Sequence, residues 1–529
     1  MEAILQSSAP ILSASAVLAR LKEFLRDTTP WSRRLWDAGT ILSLRELYDA
    51  IEWSEAKVLS ASTVKWLAND LERLVGRDRG IGGKDVRAHL RATLAGPLKS
   101  GSSAQRTLKR LTEMIAEDYL LRWRDAAASS NPPGTERTAR AVASHLLDLG
   151  YSMSYLDEWA KTLRVASLAD LIGEAHELTL VEPSEFEVMV PFTSVSDLGG
   201  NRTASPAWVT PSNASSWFRG RSLTQPRHNG GFLYRVSARD YLGAAQQASD
   251  NVDRMISRAT LSRRSIEFEP VGEVWVSGHG NAIPFARPNR SAHVLSLIKE
   301  KRLYDVGRRS ELDNALELAA ILNDGSAGPA VSGGWSAIES LLLSPKDETE
   351  EGRGVLAAER MAAIIACAWP RAELTALSYL HEPASPDVLQ RTLDGEVVNR
   401  ERGRAVLAAL EAGRPVAVRR ASDDAAVARM QGLQANARAT LTDVRKHMSS
   451  AMRRLYRHRN LVMHGGATDV PTLDMALRTT APLVGAGLDR ITHAALTDGI
   501  TPLTLASKAE LNLRLVGGTD ARGLTDLLE

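Results

Sequence analysis

Apolar residues recur at helical spacing along most of this chain. Near the N-terminus, residues three and four positions apart form one apolar face, and similar faces follow as far as Glu177. From Leu178 the pattern changes to short apolar runs of strand length, of which Phe186–Val190 and Gly231–Val236 are the clearest. Helical spacing then returns from Ala292 onward. The pattern therefore predicts two helical regions with a region of strands between them.

These changes divide the 529-residue chain into three predicted segments. They are an N-terminal helical domain over 1–177, a central α+β module over 178–290 and a C-terminal helical domain over 291–529. The expected fold class is mainly α with a central α+β module. At the first boundary, the run Thr179–Glu182 is predicted to be a strand.

Composition excludes several classes of protein. The hydrophobic content is 44% and the net charge is +2, so the charge of the whole chain does not indicate nucleic-acid binding. The single cysteine, Cys367, lies in an apolar helical run, which predicts a buried structural thiol and excludes an intrachain disulfide framework or a Cys-rich zinc site. No apolar run is long enough to span a membrane, and the N-terminus lacks the basic region of a secretory signal. We therefore expect a cytoplasmic protein without a membrane partner.

The most informative segment ends a long run with few helix breakers. This run begins at Asp423 and ends at His464, where two glycines follow, so the pattern predicts one long helix that stops there. Residues four positions apart share a helix face, so Tyr456, Asn460 and His464 form one stripe. Two cations flank that stripe, Arg453 and Arg457.

The residue types at this helix end favour acid–base chemistry on a phosphate. Histidine takes and gives protons near neutral pH, and the negative end of the helix dipole at His464 favours imidazolium. Arg459 adds a cation and Asn460 a polar amide on the same last turns of the helix. Arg459 precedes His464 by five residues, so the two side chains are not expected to meet on one ideal helix. A distorted helix end or a second copy of the helix would bring them to one phosphate.

A carboxylate and a basic stretch are further candidates for a role at this helix end. Glu339 is a lone carboxylate in an apolar helical run and could pair with Arg459 or tune His464, although an ion pair inside a helical bundle explains it equally well. A basic stretch precedes the motif, and we favour a role in guiding RNA over a solvated helix face. That stretch comprises Arg445, Lys446, Arg453, Arg454 and Arg457.

The segment from Tyr456 to Gly466 resembles the signature of HEPN domains. That signature is an Arg, four residues of which the first is usually Asn, and then His, which here are Arg459, Asn460 and His464. The two glycines and the preceding helix resemble the HEPN domains at the C-termini of bacterial defence proteins. The resemblance covers 291–529 as a helical block and does not extend to the rest of the chain.

The resemblance implies an all-α bundle that forms a homodimer through the C-terminal domain. It also implies metal-independent RNA cleavage, in which a ribose 2′-OH attacks the adjacent phosphate and leaves a 2′,3′-cyclic phosphate and a 5′-hydroxyl. We expect Arg459, Asn460 and His464 to be catalytic, with no cofactor and no metal. The expected supporting or RNA-binding residues are Glu339, Tyr456, Arg453 and Arg457.

The expected function is that of a metal-independent endoribonuclease acting as a toxin-like effector of bacterial antiviral defence. RNA is the expected substrate, and the N-terminal region is expected to sense a phage or host trigger that controls the nuclease. The alternative is a non-catalytic HEPN-type protein that binds RNA or nucleotides, or a regulatory scaffold. Incubation with RNA in the presence of a chelator distinguishes these two possibilities.

Overall fold

The structure is a computed structural model that describes most of the chain. The described ranges are 14–25, 38–195, 205–261, 268–285, 290–305, 310–348, 352–467 and 471–529. These ranges contain 21 α-helices and a small antiparallel sheet of six strands, which confirms the mainly helical fold. The chain forms two compact units: the first comprises Met1–His145, Arg164–Glu174 and Asn289–Glu529, and the second comprises Leu146–Leu163 and Ala175–Pro288. Most of the predicted N-terminal and C-terminal segments therefore belong to one unit.

The N-terminal third of the chain consists of short amphipathic helices. Ser60 and Ser102 cap two of them by accepting the backbone N–H three residues on, as N-cap serines do. The helices are α1 (Ala14–Leu25), α2 (Thr40–Glu55), α3 (Ala61–Val75), α4 (Lys84–Ala95), α5 (Ser103–Glu117), α6 (Tyr119–Ala127), α7 (Thr135–Asp148), α8 (Met153–Thr162) and α9 (Leu168–Leu180).

The strand predicted at Thr179–Glu182 is wrong. Thr179 and Leu180 form the last turn of α9, and the residues after them are irregular. The Thr179 hydroxyl donates to the carbonyl of His176 within that turn. The helix thus continues into a run of β-branched and apolar residues that favours a strand. Strand propensity depends strongly on context and does not decide the conformation here.

The second unit contains the sheet. Its strands are β1 (Ser184–Val195), β2 (Trp208–Val209), β3 (Gly231–Ala238), β4 (Phe268–Pro270), β5 (Glu273–Val276) and β6 (Ile283–Pro284), with helices α10 (Pro211–Gly220) and α11 (Tyr241–Leu261) between them. The order is β2-β3-β1-β5-β6, and β4 pairs with β1. Buried residues of β1 such as Val188 and Val190 form one apolar cluster with Ala244 and Ala248 of α11. One face of the sheet is therefore covered by α11.

The C-terminal region is a helical bundle built around one apolar helix. Its helices are α12 (Ser296–Lys299), α13 (Glu311–Asp324), α14 (Ala327–Leu342), α15 (Arg353–Leu380), α16 (Val388–Asp394), α17 (Asn399–Glu411), α18 (Ala421–Ala435), α19 (Ala437–Gly465), α20 (Pro471–Asp498) and α21 (Pro502–Leu515). Every residue from Met361 to Pro370 in α15 is buried. Cys367 is free and buried there, as predicted, and burial raises the pKa of its thiol. No helix in the described ranges combines the length and the apolar character needed to cross a bilayer.

The helix predicted from Asp423 to His464 is two helices. Asn436 separates α18 from α19 with φ −149° and ψ 70°, and its side chain accepts the backbone N–H of Ala439 as the N-cap of α19. Asparagine competes for backbone hydrogen bonds in this way, which explains the break. We call α19 the motif helix, because it carries Arg459, Asn460 and His464.

The predicted end of the motif helix is confirmed, and each glycine has a separate reason. Gly466 has φ +63°, the left-handed conformation that commonly follows a helix, and its N–H donates to the carbonyl of Leu461. Gly465 packs against α2, since a Cβ at this position would lie 3.0 Å from a ring carbon of Trp53. The glycine pair therefore ends the helix and allows an N-terminal helix to approach it closely.

Candidate functional site

Arg459 and His464 lie at the exposed C-terminal end of the motif helix, and they meet within one chain. Arg459 Nη1 is 3.3 Å from His464 Nε2 and 3.1 Å from the side-chain oxygen of Asn460. The expectation that the two side chains cannot meet on one helix is wrong. That expectation used only the directions in which the two side chains leave the helix backbone. The long arginine side chain can run along the helix surface towards the histidine.

This contact determines which ring nitrogen carries the hydrogen when the imidazole is neutral. An arginine guanidinium can only donate hydrogen bonds. Nε2 of His464 therefore accepts from Arg459, and the ring proton of the neutral imidazole lies on Nδ1. A neutral histidine with its lone pair on Nε2 is the form that can take a proton from a hydroxyl group.

Glu339 lies on the other side of Arg459. Its Oε2 on α14 is 3.6 Å from Nη2 of Arg459, so the pairing considered from the sequence is present in the structure. The two side chains are 28% and 24% exposed, which makes this a solvent-screened pair that contributes little to stability. Its effect is to hold the guanidinium between a carboxylate and the imidazole.

Tyr456, a predicted supporting residue, packs into the bundle. Its ring lies 5.0 Å from the ring of Trp335, centroid to centroid. Gly354, in the first turn of α15, lies so close to Tyr456 that a Cβ added to the glycine would be 2.3 Å from the tyrosine ring. The residue is half-buried beside the main apolar cluster of the first unit. Tyr456 therefore supports the site by fixing the motif helix against α14 and α15.

Arg457, predicted to bind RNA, is buried, and so is Arg454. They are 4% and 3% exposed, and both donate to the carboxylate of Glu46 on α2, at 2.7 Å and 3.0 Å. A direct RNA contact by either side chain is excluded in this arrangement, which corrects the expectation for the basic stretch. Glu46 was not identified from the sequence, because its helix also carries Asp49, Glu52 and Glu55 and the local pattern does not single it out.

Arg453 has a different environment from its buried neighbours. It is half-buried, and its Nη2 donates to Oε1 of Glu359 on α15 at 2.8 Å. Its guanidinium carbon lies 5.3 Å from the ring centre of Trp66 on α3, as does that of Arg457. Such cation–π contacts contribute about 1 kcal/mol where they are partly exposed. Arg453 therefore keeps a partly exposed side chain beside the surface of the motif helix.

His458, one position before Arg459, is a structural histidine. It is 1% exposed, Nδ1 donates to the carbonyl of Arg454 at 2.9 Å, and Nε2 accepts from the hydroxyl of Thr472 at 2.9 Å. Burial lowers its pKa to about 4. The side chain is therefore neutral near pH 7 and fully hydrogen-bonded, so it is not available for proton transfer to a substrate.

No group of three or more His, Cys, Asp or Glu side chains within the described residues is arranged to hold a metal ion. The polar side chains that meet at the helix end are those of Arg459, Asn460, His464 and Glu339. Comparisons of the chain with protein-family models, with curated proteins and with solved structures find no match.

Proposed function

We propose that this protein is a metal-independent endoribonuclease whose active site is the exposed end of the motif helix. The observation that supports this most strongly is the convergence of Arg459 on His464, at 3.3 Å, and on Asn460, at 3.1 Å. A cation and a proton acceptor at this separation can act on the same phosphodiester. The site is also accessible, because the side chain of His464 is exposed.

The reaction requires one bond to form and one to break at phosphorus. Nε2 of His464 takes the proton of the ribose 2′-OH, O2′ attacks the phosphorus, and the bond to O5′ breaks. In-line attack places the leaving O5′ on the side opposite to O2′, so one histidine serves one of the two proton transfers and water protonates O5′. The products are a 2′,3′-cyclic phosphate and a 5′-hydroxyl end.

Arg459 stabilises the negative charge that develops on the phosphorane oxygens. At rest it donates to His464, so an entering phosphate takes over that hydrogen bond and frees the lone pair of the imidazole. Glu339 holds the other side of the guanidinium and acts as a positioning residue. Asn460 accepts from Arg459 and restricts it further.

Control by the N-terminal helices is part of this proposal. Glu46 and Trp53 of α2 contact the motif helix at Arg454 and Gly465, so a movement of α2 would be transmitted to the helix end. This arrangement suits an enzyme that must be restrained until a trigger arrives. A phage or host trigger, a toxin-like role in antiviral defence and a homodimer are implications of the HEPN resemblance. Geometry alone does not require a dimer, because Arg459 and His464 already meet within one chain.

The test is the incubation of the pure protein with total RNA in EDTA, followed by analysis of the product ends. We expect cleavage to persist, with cyclic phosphate at the 3′ ends and hydroxyl at the 5′ ends. Strict dependence on Mg²⁺ with 5′-phosphate products would contradict the proposal. Binding of RNA without cleavage would favour the alternative of a non-catalytic RNA-binding protein.

A further inference from the structure

Two adjoining cavities follow the motif helix on the N-terminal side of the candidate active site. The first has a volume of about 310 Å³ and the second about 360 Å³, and both are lined by Thr442 and Arg445. We call the two cavities together the basic groove. The cations that line it are Arg73, Arg438, Arg445, Lys446, Arg453 and Arg514.

The groove and the candidate active site belong to the same helix, the motif helix. Lys446, Ser449 and Arg453 line the first cavity and are separated by three and four residues, which is the spacing of one helix face. A further seven residues lead to Asn460 and four more to His464, and between them Tyr456 and Arg457 pack against neighbouring helices. The 18 residues from Lys446 to His464 rise about 27 Å at 1.5 Å per residue. One nucleotide cannot reach over this distance, whereas a strand of several nucleotides can.

The charge of the groove is positive although the chain as a whole is almost neutral. The second cavity is lined by three arginines, Arg438, Arg445 and Arg514, and by no carboxylate. In the first cavity Glu359 pairs with Arg453 at 2.8 Å and with Arg445 at 3.7 Å.

Asp70, the other carboxylate of the first cavity, lies 3.4 Å from Arg73. Burial raises the pKa of Asp70, which disfavours its charged form. Lys446 and Arg514 are exposed to solvent. An excess of positive charge therefore faces an incoming anion.

We propose that the basic groove binds the phosphate backbone of single-stranded RNA whose chain is long enough to reach His464 as well. Cavities of a few hundred Å³ are the size of small-molecule sites, so they admit a single strand and not a duplex. Arginine and lysine contacts to phosphates carry no sequence information, so the groove gives affinity without base specificity. The choice of RNA rests on the proposed nuclease function, whereas the choice of a polyanion rests on the groove itself.

The experiment measures binding without requiring cleavage. A fluorescently labelled single-stranded oligoribonucleotide is titrated against the full-length His464→Ala chain, and anisotropy gives the Kd at several salt concentrations. In the same background, the groove variant carries Arg445→Gln, Lys446→Gln and Arg514→Gln. The matched control carries Lys99→Gln, Lys109→Gln and Arg110→Gln, three exposed positions that do not line the groove.

We expect the groove variant to lose affinity roughly tenfold or more at low salt, while the control stays within about twofold of the parent. For single strands the salt slope changes by about 0.7 per phosphate contact, so the groove variant should lose about 2 from its slope. Equal affinities and slopes of groove variant and control would overturn the proposal. If the triple variant does not fold, Lys446→Glu alone, at an exposed position, should weaken binding in the same direction.

Two further ligands, a nucleoside triphosphate and duplex RNA, show which phosphate-bearing molecule the groove binds. Displacement of the labelled strand by a nucleoside triphosphate at equal phosphate concentration would overturn the strand proposal in favour of a nucleotide site. Equal affinity for duplex RNA would overturn it as well. A further outcome is that the groove variant binds RNA more weakly even though the wild type does not cleave RNA. That result would support the groove as an RNA-binding site and contradict only the proposed nuclease activity.

Discussion

Two adjacent segments of the motif helix contain the same kinds of residue in opposite environments. From Arg454 to His458, two arginines and a histidine are at most 4% exposed, and each donates to a specific partner. From Arg459 to His464, an arginine and a histidine lie at the helix end, with an exposed imidazole and a half-buried guanidinium. Residue type alone does not identify a site: the buried segment holds the helix in place, and the exposed segment can reach a substrate.

The difference has an energetic counterpart. Removing one partner from a buried, hydrogen-bonded charge cluster leaves a charge uncompensated and typically costs about 3–5 kcal/mol. An exposed ion pair contributes about 0–1 kcal/mol. Substitutions in the first segment should therefore change stability, whereas substitutions in the second should change activity.

The largest effect on stability is expected from Glu46→Ala. Glu46 is 7% exposed and is bound by both Arg454 and Arg457, so its loss removes the carboxylate that two buried cations share. We expect a loss on the order of 3–5 kcal/mol in the free energy of unfolding, measured by urea denaturation. The matched variant Glu339→Ala should cost less than about 1 kcal/mol, because its pair with Arg459 is screened by solvent. Equal losses in the two variants would contradict the comparison.

The next effect is a dependence of stability on pH that arises from His458. Its pKa falls from 6.5 to about 4 on burial, so between these values the unfolded chain binds a proton that the folded chain does not. The free energy of unfolding should therefore fall as the pH drops from 6.5 to 4, by up to roughly 3 kcal/mol. The measurement is urea denaturation across this range, in which His458→Gln should flatten the profile. A profile that stays unchanged in this variant would show that His458 is not its source.

A smaller effect, on activity, is expected from Glu339→Gln. The amide keeps the shape of the side chain and removes the charge that holds Arg459, so the guanidinium should sample more orientations. We expect the RNA cleavage rate to fall roughly tenfold, equivalent to about 1.4 kcal/mol, with no change in thermal unfolding. The Arg459→Lys variant is a second measure of orientation, because lysine cannot reproduce the planar fork of arginine. An undiminished rate in Glu339→Gln would remove Glu339 from the site.

No recovery of activity is expected when inactive Arg459→Ala and His464→Ala chains are mixed. Arg459 and His464 meet within one chain. Each variant chain lacks one of the two, so no combination of the chains contains an intact pair. The measurement is the cleavage rate of the mixture after co-refolding, with sedimentation to establish whether the chains associate. Restored cleavage would show that the site is shared between two copies, as the HEPN resemblance implies.

Part of the fold and of the candidate site follows from the local pattern of the sequence. Helical spacing predicts the bundle, glycine chemistry predicts the end of the motif helix, and the spacing of Arg459, Asn460 and His464 marks the candidate site. The partner of Arg454 does not follow from that pattern, because Glu46 lies 408 residues away in the chain and only folding brings the two together. The contact between Arg459 and His464 depends on the path of a long side chain, which a helical projection does not include.

The most direct test compares RNA cleavage by the wild-type chain with that by His464→Ala, in EDTA, after thermal unfolding has shown that both are folded. His464 is exposed at the helix end, so its truncation removes the proton acceptor without opening a cavity in the core. We predict that the variant unfolds at the temperature of the wild type and no longer cleaves RNA. Full cleavage by the folded variant would contradict the assignment of the site.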